Sequence, residues 1–296
     1  MRTRRTDLAM EARELWQESA GEMTALSGVE ARDECRDGIP VNTVRILDQE
    51  GERALGKPRG TYVTLTVEGL AARREDIFRR AVRAVAGALW ELGRELPPRG
   101  LILVVGLGNR DITPDAVGPK VHDQMLVTRH LLRQMPEQFG GLRPVASVAA
   151  EVLGTTGVES GELVRAVCDA IRPAGVVAVD ALASRSLKRL CSTIQLSDTG
   201  ITPGSGVGNH RMGLNRESLG VPVLAVGVPT VVDGATLAAD LLGAEELPRL
   251  EAGRELLVTP KDIDSQVSDL ARVIGYGINL ALQPELTLEE LELLLG

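Results

Sequence analysis

A chain of 296 residues, 44% hydrophobic and 25% charged, is long enough to bury a sizeable core and too apolar to stay disordered. Its net charge of −8 and its 2% aromatic content exclude the usual nucleic-acid platforms, which need clustered cations and exposed rings. Cys35, Cys168 and Cys191 lack CxxC spacing and read as free thiols in a reducing compartment, and no apolar run approaches the ~18 residues of a membrane span, so a cytoplasmic protein is expected.

The first 40 residues begin basic, with Arg2, Arg4 and Arg5, and turn acidic and amphipathic from Asp7 to Glu18. They read as a terminal helix lying on the domain, with a detachable arm as the alternative. Residues 41–47 and 61–67 alternate apolar with polar, and Lys57-Pro58-Arg59-Gly60 supplies turn chemistry, which predicts an antiparallel strand pair. Ile77, Ala81, Ala84, Val85, Ala88 and Leu92 recur at helical spacing until Pro97-Pro98 stops the pattern. From 101 to 242 strands alternate with helices, the mark of a mostly parallel sheet. Strands are expected at 101–105, 145–149, 175–179, 192–197 and 222–226, and helices at 115–133, 160–171 and 233–242. A further helix covers 263–282, and Thr287 opens a last short one. No linker divides the chain, so one α/β domain spanning 1–296 is expected, with 101–242 as its core.

Two strand ends carry the chemistry. After the buried run Leu101 to Val105, Gly106-Leu107-Gly108-Asn109 forms a tight turn, and Thr113-Pro114 reads as an N-cap with proline at the first helical position. Asp115 then stands in the first turn of a helix above the carboxyl end of a strand, where α/β sheets bind ligands. The second run, Val176 to Val179, ends in Asp180. One aspartate ending a buried strand reads as a turn cap; two on neighbouring strands read as a pair that shares a proton and activates water.

Other signals are weaker. Glycine-rich loops occupy 154–157, 200–209 and 227–233, and ordinary turns account for the first and third. Asp198-Thr199-Gly200 matches the triplet of pepsin-like proteases, but those are all-β with two copies, so Asp198 reads as an Asx-turn residue. Gly106-Leu107-Gly108 fails the dinucleotide fingerprint because Asp111 replaces its third glycine. His122 and His130, on the helix after Asp115, and His210 lack HExxH spacing and read as surface or satisfied histidines. Gly204-Ser205-Gly206 comes nearest to a nucleophile elbow without forming GxSxG.

Together, RTDLAMEA at 5–12, GLGN at 106–109 with TPDAVGP at 113–119, VDALASRS at 179–186, TIQLSDTGITPGSGVGN at 193–209, GVPTVVD at 227–233 and VTPKDID at 258–264 resemble the germination proteases of spore-forming bacteria. The resemblance implies a three-layer α/β fold similar to hydrogenase maturation peptidases, with the antiparallel strand pair added near the amino terminus. It implies an atypical aspartic endopeptidase without metal or other cofactor, with Asp115 and Asp180 catalytic. Its substrates would be small acid-soluble spore proteins in the spore core, cut beside glutamate. Arg185 and Lys188 would read that glutamate, and main-chain donors of Gly204, Ser205 and Gly206 would hold the peptide. A self-processed zymogen and a homotetramer are further implications, with residues 1–6 as a short leader or arm; no nucleic-acid or membrane partner is expected. The rivals are a metal-dependent maturation-type peptidase, with a histidine joining the two aspartates, and a non-catalytic protein that binds spore proteins.

Overall fold

The computed structural model describes residues 6–20, 26–70, 76–204, 212–242, 253 and 255–295. Helix α1 (Ala9–Ala20) precedes strands β1 (Val29–Arg36), β2 (Ile39–Ile46) and β3 (Gly60–Thr66), with α2 (Gln49–Leu55) between β2 and β3. Helix α3 (Ile77–Leu92) leads to β4 (Ile102–Leu107), a 3-10 turn (Thr113–Asp115), and the short helices α4 (Val117–His122), α5 (Arg129–Gln134) and α6 (Pro136–Phe139). Then come β5 (Val145–Ala150), α7 (Leu153–Thr156), α8 (Ser160–Ile171), β6 (Gly175–Ala183), a second 3-10 turn (Leu187–Arg189) and β7 (Thr193–Ser197). The chain closes with α9 (Arg216–Leu219), β8 (Val223–Asp233), α10 (Gly234–Leu242), β9 (Leu257–Val258), α11 (Ile263–Leu282) and α12 (Leu288–Leu295).

Among the described residues the strands form one sheet in the order β1-β2-β3-β7-β8-β6-β4-β5, with β9 paired to β8. The half from β8 to β5 is parallel, and the half from β1 to β8 is antiparallel. Strands β4 and β6 are buried on both faces, which is why they read as unbroken valine-rich runs. Val104, Val177 and Val179 face a core made with α3, α4 and α11, while Leu103, Val176 and Ala178 face α8. Helices α1 and α2 close over Val44, Ile46 and Tyr62. The result is the expected three-layer α/β architecture, except that the sheet, expected to be mostly parallel, is mixed, with parallel pairing among β8, β6, β4 and β5. Among the described residues no helix is long and apolar enough to cross a membrane.

The structure corrects several boundaries. The antiparallel pair gains a third strand, β1, whose sequence VEARDECR carries charges along an exposed edge and has its short apolar alternation broken by Asp33. Charge on an edge strand guards it against pairing with other chains, and it also hides the strand from a hydrophobic pattern. The helix expected over 115–133 is broken into α4 and α5. Between them, buried Asn279 of α11 accepts from the Leu126 N–H at 2.9 Å and donates to the Gln124 carbonyl at 2.7 Å, replacing helical hydrogen bonds. His122 and His130 therefore lie on different helices. Strand β8 runs on to Asp233, so 227–233 is not a loop.

Cys35 is exposed, whereas Cys168 and Cys191 are free and buried. Burial pushes both buried thiols up, Cys191 to about 12 with the charge of Asp262 adding to the effect. A thiol reagent should therefore label Cys35 alone in the folded protein and all three cysteines after denaturation. Rapid labelling of Cys191 in the native chain would contradict this packing.

Candidate active site

Asp115 is placed by glycines. A Cβ on Gly106 of β4 would stand 2.1 Å from the Gly118 carbonyl oxygen of α4, and one on Gly118 would stand 2.2 Å from the Leu107 oxygen. Backbone thus packs on backbone, which draws the start of α4 down onto β4. Gly108 adopts φ of +120°, and a Cβ there would meet the Asp115 carbonyl oxygen at 2.0 Å. The turn brings the Asn109 N–H to Asp115 Oδ2 at 2.8 Å. Thr113 is not a helix cap here: Thr113 to Asp115 form a 3-10 turn, and the Thr113 hydroxyl donates to Asp264 at 2.8 Å.

Asp180 lies within β6 rather than ending it, because the strand continues to Ala183 beside the extended β8. It is only 5% exposed, and its Oδ1 accepts from the Ala181 N–H at 2.9 Å. Asp115 and Asp180 line one cleft of about 400 Å³, together with Gly108, Pro203, Gly204 and Thr230. A mostly apolar cleft lined by two carboxylates is a setting for acid-base chemistry.

The profile of the family described as germination protease matches residues 9–244 of this chain. The chain is 44% identical to a germination protease of Caldanaerobacter subterraneus, covering 98% of each chain, and 43% identical to one of Clostridium perfringens, covering 97% of each. A germination protease of Bacillus cytotoxicus is 35% identical, over 95% of this chain and 94% of that one. This chain belongs to the germination protease family. Among solved structures, a [NiFe] hydrogenase maturation protease, HycI of Thermococcus kodakarensis, aligns with a TM-score of 0.37 and 18% identity, covering 64% of this chain and 98% of that one.

In this member of the germination protease family the amino-terminal segment reaches the cleft. Asp7 lines it; the Asp7 N–H donates to the Ala183 carbonyl at 3.0 Å, and its Oδ2 accepts from the Ala183 N–H at 2.9 Å. Gln195 clamps the same segment, accepting from Ala9 N–H at 2.7 Å and donating to the Asp7 carbonyl at 3.0 Å. Glu11, fully buried on α1, accepts from the Arg185 N–H at 2.7 Å, the Ser186 N–H at 3.1 Å and Arg189 Nη1 at 3.0 Å. Burial pushes the nearby Lys57 amine down, while the carboxylates of Asp7 and Glu11 pull it back up. Glu11 escapes sequence reasoning because an acidic residue on an amphipathic terminal helix looks like a solvated face, and Arg189 because its partner lies 178 residues away.

Arg189→Met would remove the cation hydrogen-bonded to the buried Glu11 carboxylate. The expected cost is about 3 kcal/mol, seen as a lower denaturant midpoint. An unchanged midpoint would show that α1 contributes little to the fold.

Neither Arg185 nor Lys188 is among the residues lining the cleft. The Arg185 guanidinium extends to Glu18 at 2.9 Å, and Lys188 is exposed on the second 3-10 turn. Gly204 does line the cleft, whereas Ser205, Gly206 and His210 lie outside the described residues, as does most of the leader segment 1–6. Asp198 is not an Asx turn: its Oδ1 accepts from the Thr61 N–H of β3 at 2.8 Å and closes the β3–β7 ladder. His122 Nδ1 pairs with the Ser147 hydroxyl at 2.7 Å, and His130 is exposed. Among the described residues no three His, Cys, Asp or Glu side chains cluster closely enough to hold a metal ion.

Proposed function

We propose that this chain is an aspartic-type endopeptidase that starts the degradation of small acid-soluble spore proteins during germination. Membership of the germination protease family supports the substrate class. The observation that carries the mechanism is the shared cleft of Asp115 and Asp180 at the carboxyl end of adjacent parallel strands. One carboxylate takes a proton from a water held between the two as that water attacks the scissile carbonyl. The other, protonated, donates to the carbonyl oxygen and then passes its proton to the leaving amine. Main-chain N–H groups of Gly204, Ser205 and Gly206 help hold the peptide and the developing oxyanion.

Self-processing fits the same site, because the chain from Asp7 to Ala9 is already tied to the cleft wall. The enzyme acts in the spore core, as one domain per subunit of a homotetramer. The test is to incubate the purified chain with a small acid-soluble spore protein, with and without a chelator, and to read new termini by mass spectrometry. Cleavage that survives chelation is the expected result. Cleavage that the chelator abolishes would replace the two-aspartate mechanism with a metal-dependent one, and an uncut substrate held in a stable complex would favour a binding role.

A further inference from the structure

Strand β8 reads VLAVGVPTVVD, and Thr230 is its sole hydroxyl. Register shows why this position differs from its neighbours. Strands β6 and β8 pair step for step to Leu182↔Pro229, and the next pair is Ala183↔Val231, which leaves Thr230 as an extra, bulged residue. Such bulges re-aim a side chain, and they are enriched beside active sites.

Thr230 is 0% exposed, and its Oγ1 has no hydrogen-bond partner among the described residues. The carbonyl of the same residue is satisfied, accepting from the Thr259 hydroxyl at 2.9 Å. A buried hydroxyl left unpaired is costly, and valine has the same branched shape without that cost. Thr230 also lines the cleft that holds Asp115 and Asp180. The cleft is the nearest source of the missing partner, and since the hydroxyl is sealed, a small shift of the cleft wall on peptide binding is what uncovers it.

We infer that Thr230 is a peptide-binding residue whose hydroxyl donates to a main-chain carbonyl of the substrate lying in the cleft. The inference rests on the endopeptidase reading and adds a residue that fixes where the peptide lies against the two aspartates. A main-chain contact of this kind is blind to side-chain sequence, so it holds any peptide that enters.

The test compares Thr230→Val and Thr230→Ser with the wild-type chain in cleavage of a small acid-soluble spore protein, alongside thermal unfolding. Thr230→Val should keep or raise the thermal midpoint while KM rises about threefold to tenfold with kcat little changed, and Thr230→Ser should restore the wild-type KM. A wild-type KM in Thr230→Val overturns the inference, as does a KM that serine fails to rescue. A hydroxyl serving only the fold would lower the midpoint of Thr230→Val and leave KM unmoved, which also overturns it. Failure of the wild-type chain to cleave contradicts the endopeptidase reading itself. Calorimetric binding of the same intact spore protein then decides the point for Thr230, with equal affinities of wild type and Thr230→Val counting against it.

Discussion

Asp115→Asn and Asp180→Asn should each lower turnover of a small acid-soluble spore protein about a thousandfold, within the usual range for loss of a positioned acid or base. Asparagine keeps the shape of aspartate and a carbonyl oxygen in its place. It can still accept from the Asn109 N–H at position 115 and from the Ala181 N–H at position 180. Thermal midpoints should therefore change little while activity collapses. That separation marks a chemical rather than a structural role. If the two carboxylates act on one water as a unit, the double variant should be hardly less active than either single one. A single variant that retains more than a tenth of wild-type turnover would remove that residue from the chemistry.

Gly106→Ala should strongly destabilise the fold. Its Cβ would stand 2.1 Å from the Gly118 carbonyl oxygen and 2.5 Å from the carbonyl carbon, both backbone atoms that no rotamer change can move. Relief requires α4 to lift from β4, and α4 follows directly on the turn that carries Asp115. The expected cost is about 3 kcal/mol, the upper end for an overpacked core, with turnover falling as Asp115 shifts. Gly87→Ala is the matched control: Gly87 lies inside α3 with nothing within 4 Å of a Cβ, so alanine there should stabilise the protein by about 1 kcal/mol through helix propensity. Wild-type stability in Gly106→Ala would mean that β4 and α4 are not in backbone contact.

Asp115 and Asp180 stand out in the sequence, whereas the backbone contact of Gly106 with Gly118 does not. Asp180 stands out because nothing else in its buried run is polar, and Asp115 because Thr113-Pro114 marks the turn that follows a buried strand. Helices α8 and α11 were equally plain, since their apolar spacing runs unbroken from 160 to 171 and from 263 to 282. What stayed hidden depended on distant partners. The break between α4 and α5 is made by Asn279, 155 residues beyond Gln124. The end of β8 resembled a turn because Gly-Val-Pro-Thr is turn chemistry, yet burial between neighbours kept it in the sheet with a bulge at Thr230. The buried pair of Glu11 and Arg189 joins residues 178 apart, a distance no local periodicity spans.

Hydrolysis in ¹⁸O-labelled water under single-turnover conditions, with enzyme in excess and a chelator present, tests the water-activating pair most directly. If Asp115 and Asp180 deliver water straight to the peptide bond, mass spectrometry will find the label in the new carboxyl terminus of the cut spore protein and in neither aspartate. Label appearing in Asp115 or Asp180 would instead show that one carboxylate attacks the peptide itself and forms a covalent intermediate, contradicting the shared-water mechanism.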